Sequence, residues 1–196
     1  TLFLAALFHP LIGLFGIGLN TYWGQFAGLK ERLESHQARI AARLGREGVA
    51  IVDAGLVDSP EKAREAADRF KREDASIIFL YISTYALSST VLPVVQKAKV
   101  PVIVLNLQPT AAIDYERFNA IGDRGTMTGE WLANCQACCV PEIACVFHRA
   151  GIGFHQITGT LDDAEAWRAI DAWIDAARVA EIMRANRVGI LGHYYN

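Results

Sequence analysis

"SIIFLYISTYALSSTVLPVVQKAKVPVIVLNL", residues 76–107, decides the fold. It opens with an apolar run, Ser76–Ile82, and closes with another, Val100–Leu107. Between them the spacing predicts a helix over Thr84–Lys97. Apolar runs without polar alternation are the mark of strands covered on both faces, as in parallel sheets. Strand, helix and strand in that order form a βαβ unit.

The same alternation extends in both directions. Upstream, Leu11–Ile17 reads as a strand. A helical face follows through Phe26, Leu29, Leu33, Ile40 and Leu44, and "VAIVD" (49–53) reads as the next strand. "DSPEKAREAADRFKRE" (58–73) is a helix with Ser59 as N-cap and Pro60 in its first turn. Downstream, residues 125–148 read as a helix interrupted at Pro141, and "GFHQITG" (153–159) as a short strand or loop. Asp162–Ala185 is a long helix, and Arg187–Leu191 reads as a further strand. The fold class is therefore α/β: a doubly wound, mostly parallel sheet flanked by helices. Residues 9–185 read as one α/β domain, and residues 186–196 as the start of a second. Thr1 in place of Met, and an end just past a strand, suggest a piece of a longer protein.

Composition narrows the functional classes. The chain has 196 residues, 52% hydrophobic and 20% charged, with a net charge of -2. That suits a globular core and gives no basic stripe for nucleic acid. The apolar start is interrupted by His9–Pro10 and lacks a preceding Lys or Arg, so no membrane anchor is expected; residues 1–8 receive no assignment. Unpaired cysteines and the lack of a basic leader indicate the cytoplasm.

Ligands of doubly wound sheets bind beyond the carboxyl ends of the strands. That directs attention to Asn20–Gln25, Asp53, Ser83–Tyr85, Asn106–Gln108, His155–Gln156 and His193–Asn196. These residues are polar and aromatic with few charges, which suits a neutral, hydroxyl-rich ligand such as a sugar better than a phosphate. His155 and His193, at strand ends, are the histidines to expect at a site. Glu142 stands out among apolar neighbours, and a helix N-terminal acid after Pro141 accounts for it equally well.

Several motifs fail on inspection. Cys135, Cys138, Cys139 and Cys145 supply only one close pair, inside a segment read as helix. Structural zinc needs two separated pairs, and a thioredoxin-like redox motif would open a helix right after the first strand, which this one does not, so packing is the reading adopted. Gly16 and Gly18 begin a dinucleotide pattern, but Thr21 stands where a third glycine is required, and Tyr22 and Trp23 would block a pyrophosphate. There is no P-loop and no G-x-S-x-G elbow.

Longer stretches carry a resemblance. "IGLFGIGLNTYWGQFAGLKERL", "NCQACCVPEIACVFHRAGIGFHQITGTLDD" and "NRVGILGHYYN" resemble the N-terminal part of L-arabinose isomerase-like proteins of the L-fucose/L-arabinose isomerase superfamily, from about Leu11 to Asn196. The resemblance implies a flavodoxin-like domain of a homo-oligomeric enzyme that interconverts aldose and ketose monosaccharides. It also implies manganese or another divalent metal, held by two glutamates and two histidines beyond this chain. No catalytic residue and no metal ligand would then lie here, and the isolated chain would be inactive. By the same resemblance, Asn20 takes the place of a substrate-touching amide and Trp23 that of an aromatic. Gln108 matches a strand-end polar residue, and Asn134, Gln136 and Glu142 lie beside the sugar. A sugar-binding α/β module without catalysis is the alternative.

Overall fold

The structure is a computed structural model, and it describes residues 10–45, 48–189, 191 and 192. Five strands form one parallel sheet: β1 (Leu11–Ile17), β2 (Ala50–Val57), β3 (Ile77–Tyr81), β4 (Val102–Gln108) and β5 (Phe154–Thr160). Their order is β2-β1-β3-β4-β5. Connections leave β1 toward one edge and return to the other side of it, so the order reverses between β1 and β3. In a sheet of this order that reversal opens a crevice at the strand exits.

Helices cover both faces, which is why the inner strands are apolar up to the carboxyl end of β4, where Asn106 and Gln108 stand. On one side α2 (Pro60–Arg72), α3 (Ser88–Ala98) and α6 (Val140–Arg149) bury Phe70, Val91, Val94 and Phe147 against Phe15, Ile78 and Val104. On the other, α1 (Leu29–Leu44) and α7 (Ala164–Ala185) bury Ile40, Leu44, Trp167 and Ile170 against Leu14, Phe79 and Leu105. Each such side chain contributes roughly 1.5–3 kcal/mol by leaving water. Two short helices, α4 (Tyr115–Asn119) and α5 (Arg124–Leu132), cross the carboxyl edge.

The α/β, doubly wound sheet expected above is present. Four local expectations need correction. β2 runs on past Asp53 to Val57, because Gly55 takes a positive φ of 70° and the β1–β2 register shifts beside it. A glycine-centred bulge lets the strand continue where the sequence reads as ending. Asp53 therefore lies within the strand, and Asp58 takes the exit.

The helix after β3 starts at Ser88, not Thr84. Thr84 is buried and its hydroxyl donates to the Leu132 carbonyl, which holds residues 83–87 as an extended loop. The segment 125–148 is two helices, with a turn over 133–139 that contains Cys135, Cys138 and Cys139. Pro141 sits in the first turn of α6. Residues 186–189 and 191 carry no strand, while Thr1–His9 and His193–Asn196 lie outside the described residues.

Candidate functional site

The exits of β1 and β3 are built from opposite kinds of residue. After β1, Gly18 is followed by a single 3-10 turn over Asn20–Tyr22. Gly18 is required because the Trp23 ring packs where its Cβ would stand, 2.8 Å from Trp23 Cζ2. The Trp23 indole N–H in turn donates to Asp58 Oδ2 at 2.8 Å, and Lys62 Nζ pairs with the same oxygen at 2.8 Å. Asp58 is buried, so the pair of donors offsets the cost of its charge. Trp23 is thus an anchor of the β1 exit.

After β3, Ser83 and Thr84 are buried hydroxyls in an apolar setting. Their backbone and side chains are stitched to neighbouring segments. Ser83 Oγ donates to the Ile17 carbonyl, and Thr84 Oγ1 to the Leu132 carbonyl at 2.7 Å. Gln136 Nε2 donates to the Ser83 carbonyl at 2.9 Å and to the Ala133 carbonyl at 2.8 Å. The Cys139 thiol reaches the Thr84 carbonyl at 3.5 Å. Buried polar groups are stable only when paired, so these bonds fix the β3 exit under the 133–139 turn.

On that fixed base stand Tyr22, Tyr85 and Glu142. Glu142, in the first turn of α6, accepts the Ser88 N–H at 3.2 Å and so caps α3. It also hydrogen-bonds the Tyr85 phenol, and its negative charge raises the Tyr85 hydroxyl above its ordinary value. Burial raises Tyr22 too, with the nearby Tyr85, Cys135 and Cys139 adding to it. Burial pushes the Cys139 thiol up to about 11 and the Cys135 thiol up as well, so both stay protonated at neutral pH. Half-buried Tyr22 therefore lies near half-buried Tyr85, and Tyr85 bonds Glu142, beside the point where the strand order reverses.

Next to them, between the start of α1 and α5, is a cavity of about 390 Å³ lined by Phe26, Gly28, Arg32, Thr126 and Glu130 among others. Phe26 packs edge-on against Tyr22, with ring centroids 6.0 Å apart. The Arg32 guanidinium grips Glu130 through two bonds of 2.5 and 3.2 Å and holds that carboxyl below the usual glutamate range. Its charge is therefore already matched.

The residues expected at the site separate into groups. Asn20 is exposed on the β1 exit, and Glu142 is in the crevice. Gln136 is fully buried and serves as the staple described above, with no surface for a ligand. Asn134 is turned to Glu130, donating to its carbonyl at 2.9 Å. Gln108 ends β4 and donates to Asn106 Oδ1 at 2.9 Å, away from the reversal point. His155 is the clearest departure: it is the second residue of β5, at the amino edge, with its ring 5.2 Å from that of Trp173. His193 is outside the described residues. Tyr22, Tyr85 and Ser88 were not singled out by sequence. Tyr22 and Tyr85 fall inside the strand-exit segments, but nothing local distinguishes them from their neighbours. Among the described residues no group of three or more His, Cys, Asp or Glu side chains is placed to hold a metal ion. No described helix is long and apolar enough to cross a membrane.

Comparison with known proteins corrects the expected kinship. No family model matches the chain, and no curated protein matches it. Among solved structures, it is similar to one from Bacteroides fragilis described as a "putative acylhydrolase". The identity is 12% and the TM-score 0.39, over 88% of this chain and 90% of the other. A likeness at that level carries no argument about activity. The description is nonetheless not that of an isomerase, and neither the family models nor the curated proteins return an L-arabinose isomerase-like protein. The assignment to that superfamily and the aldose–ketose isomerase activity are withdrawn, and the divalent metal rested on the same resemblance. The sugar-binding alternative gains no support from these comparisons either, and the chain is assigned to no family.

Proposed function

We propose that this domain binds a small uncharged molecule carrying hydrogen-bond donors, an alcohol or a primary amide, over the exits of β1 and β3. The observation that carries the reading is the convergence of Tyr22, Tyr85 and Glu142 on a backbone held by buried side-chain bonds. A preformed site with few convergent polar groups is the usual form of a small-molecule site. Glu142 offers acceptor lone pairs to a donor, and the phenols both donate and accept. An anion would face the Glu142 charge, while the cations Lys62 and Arg32 are already engaged, by Asp58 and Glu130 respectively. Phosphates and carboxylates are accordingly disfavoured.

Ligand-observed NMR on two fragment sets tests this, one of alcohols and primary amides and one of carboxylates and phosphates. The uncharged set is expected to bind. Tyr85→Phe is expected to weaken the best fragment about fivefold, the worth of one neutral hydrogen bond. Preferential binding of the anionic set, or unchanged affinity in Tyr85→Phe, contradicts the reading.

A further inference from the structure

Cys135 and Cys138 stand at the two ends of the turn that roofs the crevice. The Cys138 N–H donates to the Cys135 carbonyl at 3.4 Å, closing a four-residue turn. The ends of such a turn lie within about 7 Å at Cα, and a disulfide spans about 4.4–6.8 Å. The side chains meet as well: Cys138 is within hydrogen-bonding reach of the Cys135 thiol. The two differ sharply in access, with Cys138 exposed and Cys135 at 2%. Cys138 lies two residues before α6, so it stands at the outer end of the turn. Cys139 points instead into the core toward Thr84.

We propose that Cys135 and Cys138 form a peroxide-responsive dithiol whose closure to a disulfide reshapes the roof of the crevice. The Cys138 thiolate attacks one oxygen of hydrogen peroxide. The O–O bond breaks, a sulfenic acid forms, and the second oxygen leaves as hydroxide and is protonated to water. The Cys135 sulfur, on losing its proton, attacks the Cys138 sulfur. The S–O bond breaks, hydroxide takes that proton and leaves as water, and the S–S bond forms. In sum, two thiols lose two protons and two electrons, and one peroxide takes them up to become two waters. A small thiol reverses the change.

The disulfide would enclose Gln136, whose amide holds the Ser83 carbonyl. Leu132 and Cys139, on either side of the turn, hold Thr84. Tightening the turn therefore pulls on the β3 exit. Burial raises the Cys135 thiol, so the closing step quickens as pH rises. Formation of the disulfide is independent of the ligand proposed above; only its effect on binding rests on that reading.

The test treats the reduced chain with hydrogen peroxide, alkylates the remaining thiols and maps the peptides by mass spectrometry. The expected product is a Cys135–Cys138 link that dithiothreitol reverses. It is lost in Cys138→Ser and Cys135→Ser and kept in Cys139→Ser. Cys138 is exposed, so its variant keeps the fold, which a melting curve confirms. Oxidation of Cys138 onward to sulfinic acid without a link, a Cys138–Cys139 link, or oxidation confined to Cys145 would each overturn the pair. Amide NMR signals of residues 83–88 are expected to shift on oxidation. If they stay in place while the disulfide forms, the coupling to the crevice is wrong.

Discussion

The two ends of the sheet offer contrasting hollows. At the amino edge, a cavity of about 660 Å³ opens among Val100, Pro101, Ile152, Phe154 and Trp173, with Lys99 and His155 at its rim. At the carboxyl edge the cavity is smaller, about 390 Å³, yet beside it two phenols and a carboxylate converge. The backbone of that edge is pinned by buried hydrogen bonds from Thr84 and Gln136. At the amino edge the described contact is a ring packing between His155 and Trp173. The lesson is that volume and chemistry are separate signals: the larger hollow has apolar walls, while the smaller one lies beside groups held in place to make hydrogen bonds.

Substitutions sharpen the contrast. The largest effect is expected at the carboxyl edge, from Gln136→Leu, which leaves the Ser83 and Ala133 carbonyls without their donor in a fully buried place. A loss of about 2–4 kcal/mol in urea unfolding is predicted, at roughly 1–3 kcal/mol per orphaned group with partial relaxation. Thr84→Val keeps the shape and removes one donor, and about 1–2 kcal/mol is expected by the same measurement. Trp173→Ala, in the apolar hollow, is expected to cost about 1–2 kcal/mol of stability, less than a fully buried tryptophan. Fragment affinity at the crevice should be unchanged in that variant. Equal loss of binding in Trp173→Ala and Tyr85→Phe would erase the distinction between the ends.

A smaller effect is a pH dependence. His36, half-buried on α1, has its pKa lowered by burial first and then by Arg32 and Arg39. Its neutral form is favoured in the folded chain, so its contribution is present above the ordinary value of about 6.5 and is lost as pH falls through the depressed folded value. His36→Gln should flatten the stability profile below about pH 6.5. The smallest effect is expected from Tyr81→Phe. Among the described residues the buried Tyr81 hydroxyl has no close hydrogen-bond partner and only the Gln136 side chain within reach, so its removal should change stability by no more than about 1 kcal/mol. A clear loss in thermal melts would show that the hydroxyl is bonded.

The strands are legible in the sequence because helices cover both sheet faces, which demands unbroken apolar runs such as Ile77–Tyr81 and Val102–Leu107. What is illegible depends on partners distant in the chain. The start of α3 is set by Glu142, fifty-four residues away, not by the Ser and Thr residues near Thr84. The break between α5 and α6 contains neither Gly nor Pro; its turn is held by Gln136 and Cys139 bonding to the β3 exit. His155 stands at a strand entry rather than an exit, a difference that turns on where β5 begins. Glu142 is the one expected residue that reaches the crevice with a clear chemical role, and its two phenolic neighbours come from other parts of the chain.

The most direct test of the central claim is a two-dimensional amide NMR map of the chain titrated with the tightest uncharged fragment. The account predicts shifts clustered at residues 18–25, 83–88 and 135–142, at the exits of β1 and β3. Shifts clustered instead at residues 95–103 and 151–155 and around Trp173 would place the site in the apolar hollow and contradict it.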